Sequence, residues 1–181
     1  MNGTLTIQEI QQQLLLAENE FHHYCTTIPG ELFFYQPEGK WSPAQQVKHL
    51  IIAAGNTQLA FVLPKFMVRW YAGKPNRPSR SYDELVAKYK LKLLQGGKAS
   101  GRFIPKPIPA GYGQQKMLDQ FKRSMDKLIH AIRSNWKELQ LDQYIAPHPL
   151  LGKITLRELG YFTIHHTYHH LESIQKMTSA V

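Results

Sequence analysis

Apolar residues recur at helical intervals along four long stretches of the chain, and each stretch carries its own start signal. Ile7, Ile10, Leu14, Ala17, Phe21 and Tyr24 follow the 3.6-residue period, with Thr6 and Glu9 spaced as a capping box, and Pro29-Gly30 closes the segment. These residues predict a first helix over 6–27. A second helix is predicted from Ser42 as N-cap, with Pro43 at the first helical position and Gln45 completing a capping box, and it runs to Val62 before Pro64 breaks it. It is apolar on most sides and is therefore expected to be central and largely buried.

After the short aromatic stretch Phe66 to Tyr71 and a basic turn-rich loop over 72–78, Ser81 and Glu84 open a shorter helix reaching about Leu94. Residues 95–113 then read as a long loop punctuated by Pro and Gly, of the length found in binding segments and in disordered connections alike. Met117, Leu118, Phe121, Met125, Leu128 and Ile132 mark a third long helix over 114–139. Thr155 and Glu158 form another capping box, which opens the terminal helix. No convincing alternating strand pattern appears, so the fold is expected to be all-α. The prediction is one domain over 1–181, a four-helix bundle whose long middle segments act as crossover connections.

The terminal helix carries the chemistry. Four of the nine histidines lie at His165, His166, His169 and His170, as two overlapping i, i+4 pairs, the spacing that presents two imidazoles to one metal ion. On a helical wheel Leu156, Leu159, Thr163, Ile174 and Met177 define the apolar side, and His166 and His170 fall within that arc about 40° apart. His165 and His169 share a side with Glu158, Glu172 and Lys176, expected to be a charged, wet face, and are read as surface residues or as supports of the ligand pair. Two buried imidazoles together are costly unless bonded or bound to a cation, so a third inward ligand is expected. His49 on the second helix, in line with Gln45, Ala53, Asn56 and Ala60, is the candidate.

Composition narrows the alternatives. The formal charge of +9, from 22 Lys+Arg and 13 Asp+Glu, suits an anionic partner without choosing among nucleic acid, acidic membranes and anionic metabolites. No apolar run has transmembrane length, and the segment from Met1 to Thr6 lacks the order of a secretory signal, so a soluble cytoplasmic protein with no membrane partner is expected. Cys25 is the only cysteine, which excludes an intrachain disulfide and a cysteine-rich zinc site. A lone helical cysteine usually belongs to the core, and His22 and His23 nearby do not by themselves activate it.

Trp41-Ser42 followed by Lys48-His49-Leu50, together with the run from His148 to Thr155 leading into His166-Thr167-Tyr168-His169-His170, resembles the DinB superfamily of metal-binding four-helix proteins. That family shows a tryptophan eight residues before a histidine on the second helix and a His-x-x-His-His segment on the last. The resemblance covers both halves of the bundle from Trp41 onward, while the region from Pro64 to Gly113 matches nothing in it. It implies His49, His166 and His170 as metal ligands, the same three that the wheel selects. It further implies an up-down-down-up topology, frequent homodimers and a divalent metal such as zinc, nickel or iron. Characterised relatives include bacillithiol transferases and mycothiol-dependent maleylpyruvate isomerases, in which the metal activates a low-molecular-weight thiol.

The leading expectation is therefore a metal-dependent enzyme that transfers such a thiol to an electrophilic small molecule. Alternatives are a metal-dependent hydrolase, disfavoured because no acidic residue lies on the inward face, and a non-catalytic metal-binding scaffold. Nucleic-acid binding, suggested by charge and by the mixed stretch Phe66 to Tyr71, is not expected, since the cations are dispersed and no recognised motif is present. Asn56, Tyr112 and Tyr168 are possible polar contacts without an assigned role, and no catalytic residue is singled out.

Overall fold

The computed structural model describes residues 3–179. Met1 and Asn2, which begin the segment tested above for a signal, lie outside the described residues. The chain is mostly helical. Its four long helices are α1 (Ile7–Thr27), α3 (Pro43–Val62), α6 (Gln114–Asn135) and α8 (Leu156–Thr178), joined by the shorter α2 (Gly30–Phe34), α4 (Lys65–Ala72), α5 (Tyr82–Leu94) and α7 (Gln140–Gln143). All four predicted capping boxes form, at Thr6–Glu9, Ser42–Gln45, Ser81–Glu84 and Thr155–Glu158. In each, the hydroxyl accepts from the N3 backbone while the N3 side chain reaches back to the cap, which satisfies two end donors at once.

The long helices alternate in space. Both α6 and α8 pack against α1 and against α3, and α5 lies along α8. Their apolar stripes meet in one continuous core that includes Leu14, Phe21, Val47, Phe61, Phe121, Leu128 and Ile164. The rings of Phe21 and Phe121 lie 4.8 Å apart between α1 and α6. Gly160 brings α8 close to α1, for a Cβ there would sit 3.0 Å from Ile10 Cγ2.

The structure adds local detail and corrects one helix boundary. A two-stranded antiparallel hairpin, β1 (Ile145–His148) with β2 (Gly152–Thr155), precedes α8. Its strands have four residues each, too short for alternation to show in the sequence. The Phe66 to Tyr71 stretch is helical, as α4, and meets α3 at a 110° bend at Pro64. The long loop contains two 3₁₀ turns, Gly101–Phe103 and Ala110–Tyr112. The third long helix ends at Asn135 instead of continuing to Leu139, because Trp136 leaves it to donate its indole N–H to the Phe61 carbonyl at 2.8 Å.

A polar network fixes the start of α8. Glu158 is fully buried and accepts from both Nη atoms of Arg77 at 2.8 and 2.9 Å, from the Arg80 backbone and guanidinium, and from the Thr155 N–H. Burial alone would raise its carboxyl, but these donors hold it below the ordinary carboxylate value. Next to it Arg157 pairs with Asp142 and Glu138 and donates to the Leu5 carbonyl, tying the N-terminal segment to α8. Among the described residues no single helix is long and apolar enough to cross a membrane.

Candidate metal centre

The middle of α3 and the middle of α8 face each other, which brings His49, His166 and His170 together in a buried group. The Nε2 atom of His166 lies 3.1 Å from Nε2 of His49 and 3.2 Å from Nε2 of His170. The far nitrogens of His49 and His170 are spoken for. His49 Nδ1 donates to the Phe103 carbonyl at 2.7 Å, and His170 Nδ1 donates to Gln46 Oε1 at 2.9 Å. A proton on Nδ1 leaves Nε2 as a bare lone pair, so His49 and His170 both aim lone pairs at His166. Its own Nε2–H, if present, could satisfy only one of them.

That arrangement leaves a buried imidazole acceptor unsatisfied unless a cation occupies the point of convergence. Three nitrogens bound tetrahedrally at 2.0–2.1 Å from zinc stand about 3.3 Å apart, close to the two spacings at His166, and all three ligand atoms lie within 4.8 Å of one another. The donor set therefore fits a divalent metal. Burial is the first cause lowering the basicity of all three rings, and for His166 and His170 the neighbouring imidazoles add to it. Neutral imidazoles need lose no proton to bind a metal at neutral pH.

Aromatic rings enclose the centre. Trp41 lies 5.1 Å from the His49 ring and nearly parallel to His170 at 6.4 Å. Phe162 stacks on His166 at 4.7 Å, and His148 packs edge-on against Phe162 at 4.1 Å. The loop is anchored here twice, through Phe103 and through Gln45 Nε2, which donates to the Pro105 carbonyl.

His165 and His169 do not join the group, yet the charged, wet face expected for them is corrected. They are partly buried against Tyr89 of α5, with ring distances of 5.8 and 6.2 Å, and Glu158, placed on the same side by the wheel, is wholly inaccessible. The packing of α5 and of residues 77–80 on that side of α8 is a tertiary event that the wheel of one helix does not contain. Asn56 donates to the Ile52 carbonyl, Tyr168 to Glu20, and Tyr112 exchanges with Gln120, so each of these polar groups is engaged elsewhere. Cys25 is buried, and desolvation pushes its thiol up to about 12, which makes it inert.

Gln46 and Phe103 went unrecognised in the sequence. Gln46 carried a usable signal, an amide one helical turn before His49 on the side facing the terminal helix. Phe103 acts through its backbone, which no side-chain pattern announces. Gln46→Leu is expected to preserve the fold and to weaken metal affinity by about 10- to 100-fold, as loss of a partner to a ligand's far nitrogen commonly does. Isothermal titration of the metal into the variant checks this.

His148 gives a separate pH signature. Burial pushes its imidazole down to about 4, and its Nδ1 accepts from the Leu150 and Leu151 N–H groups in the hairpin turn. The unfolded chain binds this proton near pH 6.5 and the folded chain does not. Its contribution is thus complete above about 6.5 and lost as pH falls toward about 4, to an upper bound of roughly 3 kcal/mol. Urea midpoints measured across that window should fall less steeply for His148→Gln than for the unaltered protein.

A family model, that of the DinB superfamily, matches residues 13–174. No curated protein matches the chain.

Proposed function

Since the chain belongs to the DinB superfamily, we propose that it is a metal-dependent transferase, built as an up-down-down-up four-helix bundle. In this reading His49, His166 and His170 hold a divalent cation that activates a low-molecular-weight thiol for transfer to an electrophilic small molecule. The observation that carries it is the set of three converging neutral imidazoles without a carboxylate in the group. Three protein ligands leave coordination positions open, as catalytic sites do. A cation bound there lowers the pKa of a coordinating thiol until the proton leaves.

The chain's own residues supply the rest. Phe103 and Gln46 keep protons on the far nitrogens of His49 and His170, so that both rings present lone pairs. Trp41 and Phe162 limit water around the rings they touch. The only protein thiol is buried and inert, which favours a thiol brought from solution. Arg102, exposed and placed over the Phe103 ring, puts positive charge on the loop that holds His49 and suits a carboxylate-bearing thiol such as bacillithiol. Hydrolysis is disfavoured because a general base is missing from the group.

Cobalt-substituted protein tests the reading. Its visible spectrum is expected to change when bacillithiol is added, and conjugation of an electrophile to the thiol should depend on metal. A closed four-coordinate spectrum indifferent to thiol would point to a scaffold and end the transferase reading.

A further inference from the structure

Helix α4 divides its side chains in an unusual way. Val68 and Ala72 are buried, and the two cations of the helix turn inward as well. Lys65 reaches over the Trp136 ring and donates to Gln140, and Arg69 lies over the Tyr144 ring at 4.6 Å. Left outside are Trp70 at 85% exposed, Phe66 and Tyr71 at 74% each, and Met67 at 40%. Leu139, also 74% exposed, adjoins Gln140, the residue that Lys65 grips. Contiguous exposed apolar groups of this size mark an interaction surface.

The rim of this face carries more cations than acids, and its acids Glu138 and Asp142 are both paired with Arg157. Lys153 Nζ donates to the Ala72 carbonyl at the end of α4, and Lys74 follows, exposed. Lys137 stands beside Lys65, since its backbone N–H and the Lys65 ammonium share Gln140 Oε1. From Glu38 to Asp83 the chain has lysines and arginines but no acidic residue between. A second copy docked face to face would set like charges against each other. A nucleic acid would satisfy the cations yet give Phe66, Met67 and Leu139 nothing to enter.

We propose that α4 docks the protein on an anionic lipid bilayer, with Phe66, Trp70 and Tyr71 entering the interfacial zone and the surrounding lysines meeting the headgroups. Trp and Tyr are the residues favoured at that depth, and a short amphipathic helix lying in the surface plane needs both apolar contact and cationic attraction. This docking departs from the expectation of no membrane partner, which rested on the lack of an apolar run of transmembrane length and so bears on spanning alone. It rests on α4 and its rim alone and does not depend on the metal reading.

The test uses the full chain with vesicles of phosphatidylglycerol in phosphatidylcholine and with vesicles of phosphatidylcholine only. Co-sedimentation with the anionic vesicles is expected, with weak binding to the neutral ones and a blue shift of tryptophan emission, to which exposed Trp70 contributes most. The double variant Phe66→Ser, Trp70→Ser should keep its thermal midpoint, as exposed positions do, and lose at least roughly tenfold in partitioning. Lys74→Glu with Lys137→Glu should erase the preference for anionic lipid. Failure to bind vesicles overturns the proposal, as does undiminished binding by the serine variant. A mass that doubles with concentration, drops to that of the monomer in the serine variant and comes without vesicle binding would assign the face to a second copy. Salt-dependent binding of single-stranded nucleic acid in place of vesicles would overturn it too.

Discussion

His166→Ala is expected to abolish stoichiometric metal binding, lowering affinity by at least about 10³-fold, well beyond the 10- to 100-fold typical of a supporting partner. His166 is the hub of the group, since its Nε2 is the atom that both other imidazoles approach. Without it, His49 and His170 lose the neighbour that completes a three-nitrogen set. His165→Ala, one residue earlier, removes a ring that packs on Tyr89 and should change affinity by less than about tenfold. Metal analysis of protein purified without a nickel column, followed by calorimetric titration, checks both. Equal losses would mean that His165 also holds the metal.

Glu158→Ala is expected to cost about 3 kcal/mol of stability, from three effects acting together. The capping box at the start of α8 is broken, the Arg77 and Arg80 groups lose their common acceptor, and a fully buried volume is emptied. For a chain of this size that corresponds to a fall in melting temperature of about 6–12 °C. Glu158→Gln keeps the volume and part of the bonding and should lose less. The sign of the pH effect follows from the lowered carboxyl. The stabilisation is present above the ordinary glutamate range and disappears as pH falls below it. A melting temperature within 2 °C of the unaltered protein, a margin of roughly 1 kcal/mol, would show that the arginines find equivalent partners.

What could be read in advance was what local chemistry decides. Each capping box joins residues three apart, so Thr6, Ser42, Ser81 and Thr155 announced their helices directly. The inward turn of His166 and His170 followed from helical period and burial for the same reason. Features made by distant packing were not legible. Glu158 looked like a surface residue until residues 77–80 covered it, and α4 was hidden behind Pro64 because it has no side-chain cap to advertise it. Trp136 ended the third long helix for the sake of a bond to Phe61, 75 positions earlier. The support of His49 lay in a main-chain carbonyl of a loop whose residue pattern says only that it is irregular.

The pairing of His49 with His166 joins positions 117 residues apart. A cation shared between them would act as a removable cross-link of the folded chain alone, since unfolding separates its ligands, and it would stabilise by mass action, by about 2.7 kcal/mol when free metal stands 100-fold above its dissociation constant. Since Cys25 has no intrachain partner, this clasp is one the chain can fasten without oxidation. Melting temperature should then climb with the logarithm of free metal concentration and return to the metal-free value on chelation.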